Sequence, residues 1–168
     1  MDWLQFAVQW LHVFFGIFWF GAALYSDFIL IPAITTLPIG TQRDVGAAIG
    51  IRSARIIEPV AGLVILLGIV RGTIFGSIKS LDALTTAYGL TWLVALVAAI
   101  ATFLWAKRFI VPAIQRLNAF SLDEVTIADG SPNPAFLTAV DQVKRATLLE
   151  LIGFFVIFTC MILMRFGY

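Results

Sequence analysis

"WLQFAVQWLHVFFGIFWFGAALYSDFILIPAI", residues 3–34, carries one formal charge, Asp27, and the only histidine of the chain, His12. A helix needs about 20 apolar residues to cross the ~30 Å of bilayer hydrocarbon, and this run is long enough to do so with residues to spare. No Lys or Arg precedes Arg43, so the positive n-region of a cleavable signal is missing and the segment reads as a retained span. The rest of the chain agrees. Of its 168 residues 61% are hydrophobic and only 12% charged, where soluble domains carry about a quarter charged residues. Mean hydropathy is +0.99.

Three further segments are long and apolar enough to cross. Spans are expected at residues 3–34, 56–78, 84–114 and 148–166, with loops at 35–55 and 115–147. The first and third exceed the hydrocarbon thickness and must tilt or project into the interface. The expected fold is an all-α, four-transmembrane-helix bundle forming a single domain over residues 1–168. Four crossings put both termini on one side. The opposite ends and loops hold Arg43, Arg52, Arg55, Lys107, Arg108, Arg116, Lys144 and Arg145, against Arg71, Lys79 and Arg165 on the terminal side. The positive-inside rule makes those loops cytoplasmic and both termini external, in a cell (inner) membrane. A net charge of +1 offers no basic face for nucleic acid. A single cysteine cannot form an internal disulfide.

The chain also matches itself. "FILIPAI" (28–34) resembles "RFIVPAI" (108–114), and "RSARIIE" (52–58) resembles "KRATLLE" (144–150). The order is the same in both halves, so the reading is two tandem helical hairpins related as a parallel repeat. Aligning Pro32 with Pro112 sets His12 against Trp92 and Asp27 against Lys107. A site that uses the histidine therefore forms once per chain.

Steps of three and four along the first helix join Gln5, Gln9, His12, Gly16, Trp19, Ala23, Ser26 and Asp27 into one seam. Unpaired polar groups in lipid are costly, so this seam is expected to face the bundle interior. His12 falls about 14 Å along the helix from its start at 1.5 Å per residue. On the second helix Gly68, Gly72 and Gly76 form a stripe that permits close approach of another backbone or a flat ligand. The fourth helix carries Cys160, Met161 and Met164, expected at the depth of His12. These soft ligands facing an imidazole suit heme iron as a His/Met pair or copper(I). Cys and Met are equally ordinary gap fillers. His12 has three roles open to it: an imidazole hydrogen-bonded to a neighbouring helix, an axial heme ligand, or part of a copper or proton pathway.

Asp27, Arg55, Glu58, Lys107, Arg108, Arg145 and Glu150 gather by depth at the cytoplasmic rim. A ring of ion pairs registering the hairpins is one reading, and a cytoplasmic gate or proton-accepting pair is the other. With Gln5, Gln9 and Asp27 on one seam, a small ion has a candidate route.

His12, Trp19, Gly21 and the exit "ILIPAI" (29–34) resemble the first helix of the CopD-like membrane proteins. That superfamily includes the copper-resistance protein D type and, more distantly, the HemJ type of protoporphyrinogen oxidase. The resemblance implies a small helical bundle whose first-helix histidine binds heme or metal, a role falling here on His12 with Trp19 beside it. Those proteins carry further histidines or an intramembrane lysine in later helices; this chain has neither. A symmetric homodimer would bring two copies of His12 to one site.

The functional expectation is a membrane protein binding a metal cofactor, b-type heme, through His12. The alternatives are copper or small-ion transport along the seam, and a non-catalytic assembly subunit packing against a membrane partner. No nucleophile–base pair, phosphate loop or zinc spacing occurs, which points away from an enzyme.

Overall fold

The computed structural model describes residues 2–168. The described residues are helical without a strand, and four helices are long and apolar enough to cross a membrane: α1 (Trp3–Ile34), α2 (Ile39–Thr73), α3 (Ala87–Asn118) and α4 (Pro134–Arg165). By length and composition these helices are compatible with a membrane bundle. Each start has a local cause. The Asp2 carboxylate accepts from the Leu4 and Gln5 amides, Thr86 from Gly89 and Asn133 from Ala135, satisfying amides that the first helical turn leaves free. Pro134 stands at the first position of α4, where its missing N–H costs nothing.

Two of the helices widen before they end. α1 is π-helical over Ser26–Leu30 and α3 over Ala106–Ile110. Pro32 and Pro112 follow, and their rings would meet the carbonyls of Phe28 and Arg108 in a regular α-helix. The chain widens instead: the Ile31 amide donates to the Ser26 carbonyl and the Val111 amide to the Ala106 carbonyl. Asp27 and Lys107 both lie inside these wide turns.

α1 packs along α2 and α3 along α4; α2 also meets α3, and α1 meets α4. Contacting residues run in opposite order along each pair, so neighbours are antiparallel and both chain ends lie at one end of the bundle. That end is called the terminal end below, and the one carrying residues 35–38 and 119–133 the loop end. Large apolar side chains point outward: Phe6, Phe14, Ile17, Phe18 and Phe28 on α1, and Phe155 and Phe158 on α4, are all exposed. Small residues line the contacts, with Ala61, Gly72, Gly89, Ala95, Ala99 and Thr102 buried. This is the inverse of a water-soluble bundle, and it is what lipid selects: helices there associate by close packing rather than by hiding apolar surface from water.

Several expected boundaries move, two of them far. α2 begins at Ile39 and α4 at Pro134, well before residues 56 and 148, so much of the expected loops 35–55 and 115–147 is helix overhanging the loop end. The overhang has a core of its own. Val125 and Phe136 are its best-buried side chains, Phe120 meets Phe136 edge to face at 5.6 Å, and Arg43 donates to the Phe120 carbonyl at 2.9 Å. α2 stops at Thr73 rather than 78, and α3 starts at Ala87 rather than 84.

Candidate functional site

The polar groups of the bundle fall into two layers separated by an aromatic one. Toward the terminal end, His12 turns from α1 onto α2, its Nδ1 lying 3.1 Å from the Val64 carbonyl oxygen. A carbonyl only accepts, so Nδ1 carries the proton, and in the neutral ring the lone pair is on Nε2. The ring is admitted by Gly68: a Cβ there would stand 3.0 Å from His12 Cε1, inside the ~3.5–4.0 Å optimum for carbon pairs. One turn further out Arg71 Nε donates to Gln9 Oε1 at 2.6 Å. The Trp92 indole occupies the place a side chain would take at Gly72. Thus His12 and Trp92, aligned by the sequence repeat, both rest on successive turns of one glycine-bearing face of α2.

Below this layer the bundle is closed. Trp19 is only 5% exposed and forms a cluster with Ala61, Val64, Leu151 and Phe154. Its ring meets Phe154 edge to face at 4.8 Å, and Phe20 stacks on the same ring at 5.3 Å. The seam of α1 is therefore interrupted between Gln9 and Asp27 by packed aromatic side chains.

The second layer lies at the loop end. Asp27 has one carboxylate oxygen, Oδ2, fully enclosed and without a hydrogen-bond partner, with Thr147 and Glu150 of α4 beside it. Across the bundle Lys107 Nζ pairs with Glu58 Oε1 at 2.5 Å, tying α3 to α2, each side chain about half exposed at 46% and 49%. Arg145 does not reach across: it pairs with Asp141 one turn back on α4 at 2.7 Å. Arg55 is exposed, and neither it nor Gln5 makes a side-chain hydrogen bond among the described residues. Of the expected rim charges, then, one pair bridges helices.

The sulfur groups have separate surroundings. Cys160 is buried and lines a groove with Ile152, Phe155, Val156 and Thr159. Every one of those residues belongs to α4, so the groove runs along that helix rather than into the bundle. Met161 is exposed and Met164 half-buried. A second groove of about 250 Å³, between α3 and α4, is lined by Thr102, Trp105, Glu150 and Gly153 among others. Among the described residues no three His, Cys, Asp or Glu side chains gather to hold a metal.

The group that sequence reasoning missed is Arg71, read only as one positive charge on the terminal side. Its place beside Gly68 and Gly72, on the face that receives His12, was the available signal. Outside the membrane, the Ser121 amide and then its hydroxyl donate to Glu124 Oε2 at 2.8 and 3.0 Å, holding that carboxyl below the usual range. Comparison with protein-family models, with curated proteins and with solved structures gives no match for this chain.

Proposed function

We propose that this protein holds a metal cofactor, b-type heme, at the terminal end of its bundle, with His12 as axial ligand. One observation carries the reading: His12 Nδ1 donates to the Val64 carbonyl at 3.1 Å. A histidine that ligates a metal characteristically gives its other N–H to a carbonyl or carboxylate, which fixes the tautomer and aims the free nitrogen. The cleared position at Gly68 lets the Cε1 edge of the imidazole close on α2. The donor set fits one ligand position, and the chemistry a heme would supply there is one-electron transfer or ligand binding at iron.

The two grooves described above lie on α3 and α4, away from His12, so a macrocycle at His12 would need an outer face of the bundle. A second copy of the chain would close that face and supply a second His12 to a bis-histidine site. The two wide turns before Pro32 and Pro112 lie 80 residues apart, as do the two "PAI" motifs, and they support two tandem hairpins. The charge bias supports external termini in a cell (inner) membrane, an orientation in which a cofactor at His12 would lie in the outer leaflet. The resemblance of residues 10–34 to the first helix of CopD-like proteins points to the same histidine. Copper or small-ion transport along the seam is the weaker reading, because Trp19 and Phe154 close the route.

Absorbance spectra of the purified protein and of His12→Ala, each titrated with hemin, test the proposal, with metal analysis alongside. A Soret band in the wild type that His12→Ala abolishes is expected. A wild type without a Soret band, or a band that survives the substitution, would overturn it; bound copper in place of heme would favour the metal alternative.

A further inference from the structure

Glu150 stands near the middle of α4, about 9 Å past Lys144 at 1.5 Å per residue, and lines the groove of about 250 Å³ between α3 and α4. It makes no ion pair or hydrogen bond among the described residues. Neighbouring cations are committed elsewhere, Lys107 to Glu58 and Arg145 to Asp141. The groove's other polar groups are committed as well. Trp105 Nε1 donates to the Ala146 carbonyl at 2.9 Å, which pins the indole as a wall of the groove. The Thr102 hydroxyl donates to the Ala98 carbonyl at 2.8 Å and fills the place a side chain would take at Gly153, so α3 and α4 approach closely there. Leu149 and Ile152 of the lining are exposed, and the groove therefore opens on the outer flank of the helix pair. An apolar groove with one free carboxylate and an indole wall is suited to a cation that carries an apolar body.

The other half of the chain shows what kind of cation such a carboxylate takes. Glu58 and Glu150 close the matching stretches "RSARIIE" and "KRATLLE", and Lys107 and Asp27 occupy matching π-helical turns. At Glu58 the partner is the alkylammonium of Lys107, at 2.5 Å. At Glu150 the matching position holds Asp27 instead, so one carboxylate faces another, and Asp27 Oδ2 is enclosed without a partner. Like charges facing each other away from water call for a cation between or beside them. The tethered ammonium is thus missing at the one of these two glutamates that has a groove beside it. We propose that this groove binds a lipophilic primary ammonium ion that enters from the bilayer. Its NH3+ group takes the place at Glu150 that Lys107 takes at Glu58, and its apolar arm lies along Trp105 toward the open flank. Asp27 adds a second negative charge behind the carboxylate that makes the contact. The site lies across the aromatic layer from His12, and it is independent of any cofactor there.

The test is calorimetric titration of the full-length protein in phosphatidylcholine nanodiscs, corrected with empty nanodiscs. It compares octylammonium with octanol, which keeps the chain and lacks the charge. Wild type should bind octylammonium saturably and about tenfold or more tightly than octanol, the range of a charge-assisted hydrogen bond. Glu150→Gln should weaken octylammonium by a similar factor and leave octanol unaffected, since both changes remove one interaction. Glu58→Gln, whose carboxylate Lys107 already holds, should bind octylammonium as wild type does. Asp27→Lys, which restores the tethered ammonium, should exclude it. The comparison of the two ligands on wild type needs no variant to fold. No saturable binding of octylammonium, equal affinity for octanol, or binding that survives Glu150→Gln would overturn the proposal; two carboxylates that only share a proton give that outcome. Loss of octylammonium binding when phosphatidylethanolamine is added to the discs would assign the groove to a lipid headgroup instead, and would overturn it too.

Discussion

Gly68→Ala separates the packing of the bundle from the chemistry of its histidine. The added Cβ would stand 3.0 Å from His12 Cε1, so the ring must give way by a few tenths of an ångström. The Nδ1–Val64 bond, now 3.1 Å, is then stretched past the usual range of about 2.7–3.2 Å and weakened. Its complete loss would cost about 0.5–1.5 kcal/mol, which bounds the effect of weakening it. Replacing glycine by alanine inside a helix returns about 0.5–1 kcal/mol. The two nearly cancel, and the net change in stability is expected within ~1 kcal/mol of zero. The histidine, however, is held less firmly by the partner that sets its tautomer. Unfolding of the detergent-solubilised protein by SDS titration reads the first quantity, and hemin titration the second. Stability is expected to stay level while hemin affinity falls by about fivefold or more, the equivalent of ~1 kcal/mol. A variant that binds hemin like wild type would refute the idea that Gly68 and Val64 together hold the imidazole in a working orientation.

Other consequences follow from the layers around the site. Trp19→Ala removes a side chain that is 5% exposed and packed on Phe154, and SDS unfolding should show a loss of about 3–5 kcal/mol; a loss under ~1 kcal/mol would mean that the aromatic layer is not the packing centre. Glu58→Gln breaks the Lys107 pair, but both side chains are about half exposed, so solvent screening should limit the effect to ~1 kcal/mol or less in the same assay. In the 119–133 connection the Ser121 hydrogen bonds hold Glu124 below its ordinary pKa. Its contribution to local order is therefore present above the pKa of the unfolded chain and is lost as pH falls through the folded value. Amide exchange at Ser121 should accelerate beyond its intrinsic pH dependence as acid is added, and Glu124→Gln should remove that extra component.

How far these features could be read in advance differs by layer. The four spans were legible because hydrocarbon thickness imposes a length on any crossing helix, and the inward seam of α1 was legible because helical periodicity places Gln9, His12 and Trp19 on one side. The partners of that seam were not. Whether Gln9 meets Arg71, or His12 the Val64 carbonyl, depends on the register between two helices, and similar small residues along α2 leave that register undetermined in sequence. Arg145 shows the converse: its depth suggested a bridge across the bundle, but Asp141 one turn away on the same helix captures it first. Pro32 and Pro112 signalled disturbed helices without saying how, since a kink, a break and a π-turn all relieve the same clash. Helix overhang at the loop end was hidden by polar residues that suit a solvated helix as readily as a loop.

With a single histidine in the chain, 15N-histidine labelling gives one imidazole signal set without assignment, and its nitrogen shifts in the cofactor-free protein in lipid bilayers report the tautomer directly. A ring protonated at Nδ1 with a bare Nε2 is the predicted state, poised to ligate. A ring protonated at Nε2 instead would mean that Val64 does not hold it, and the proposed ligand role would have no structural footing.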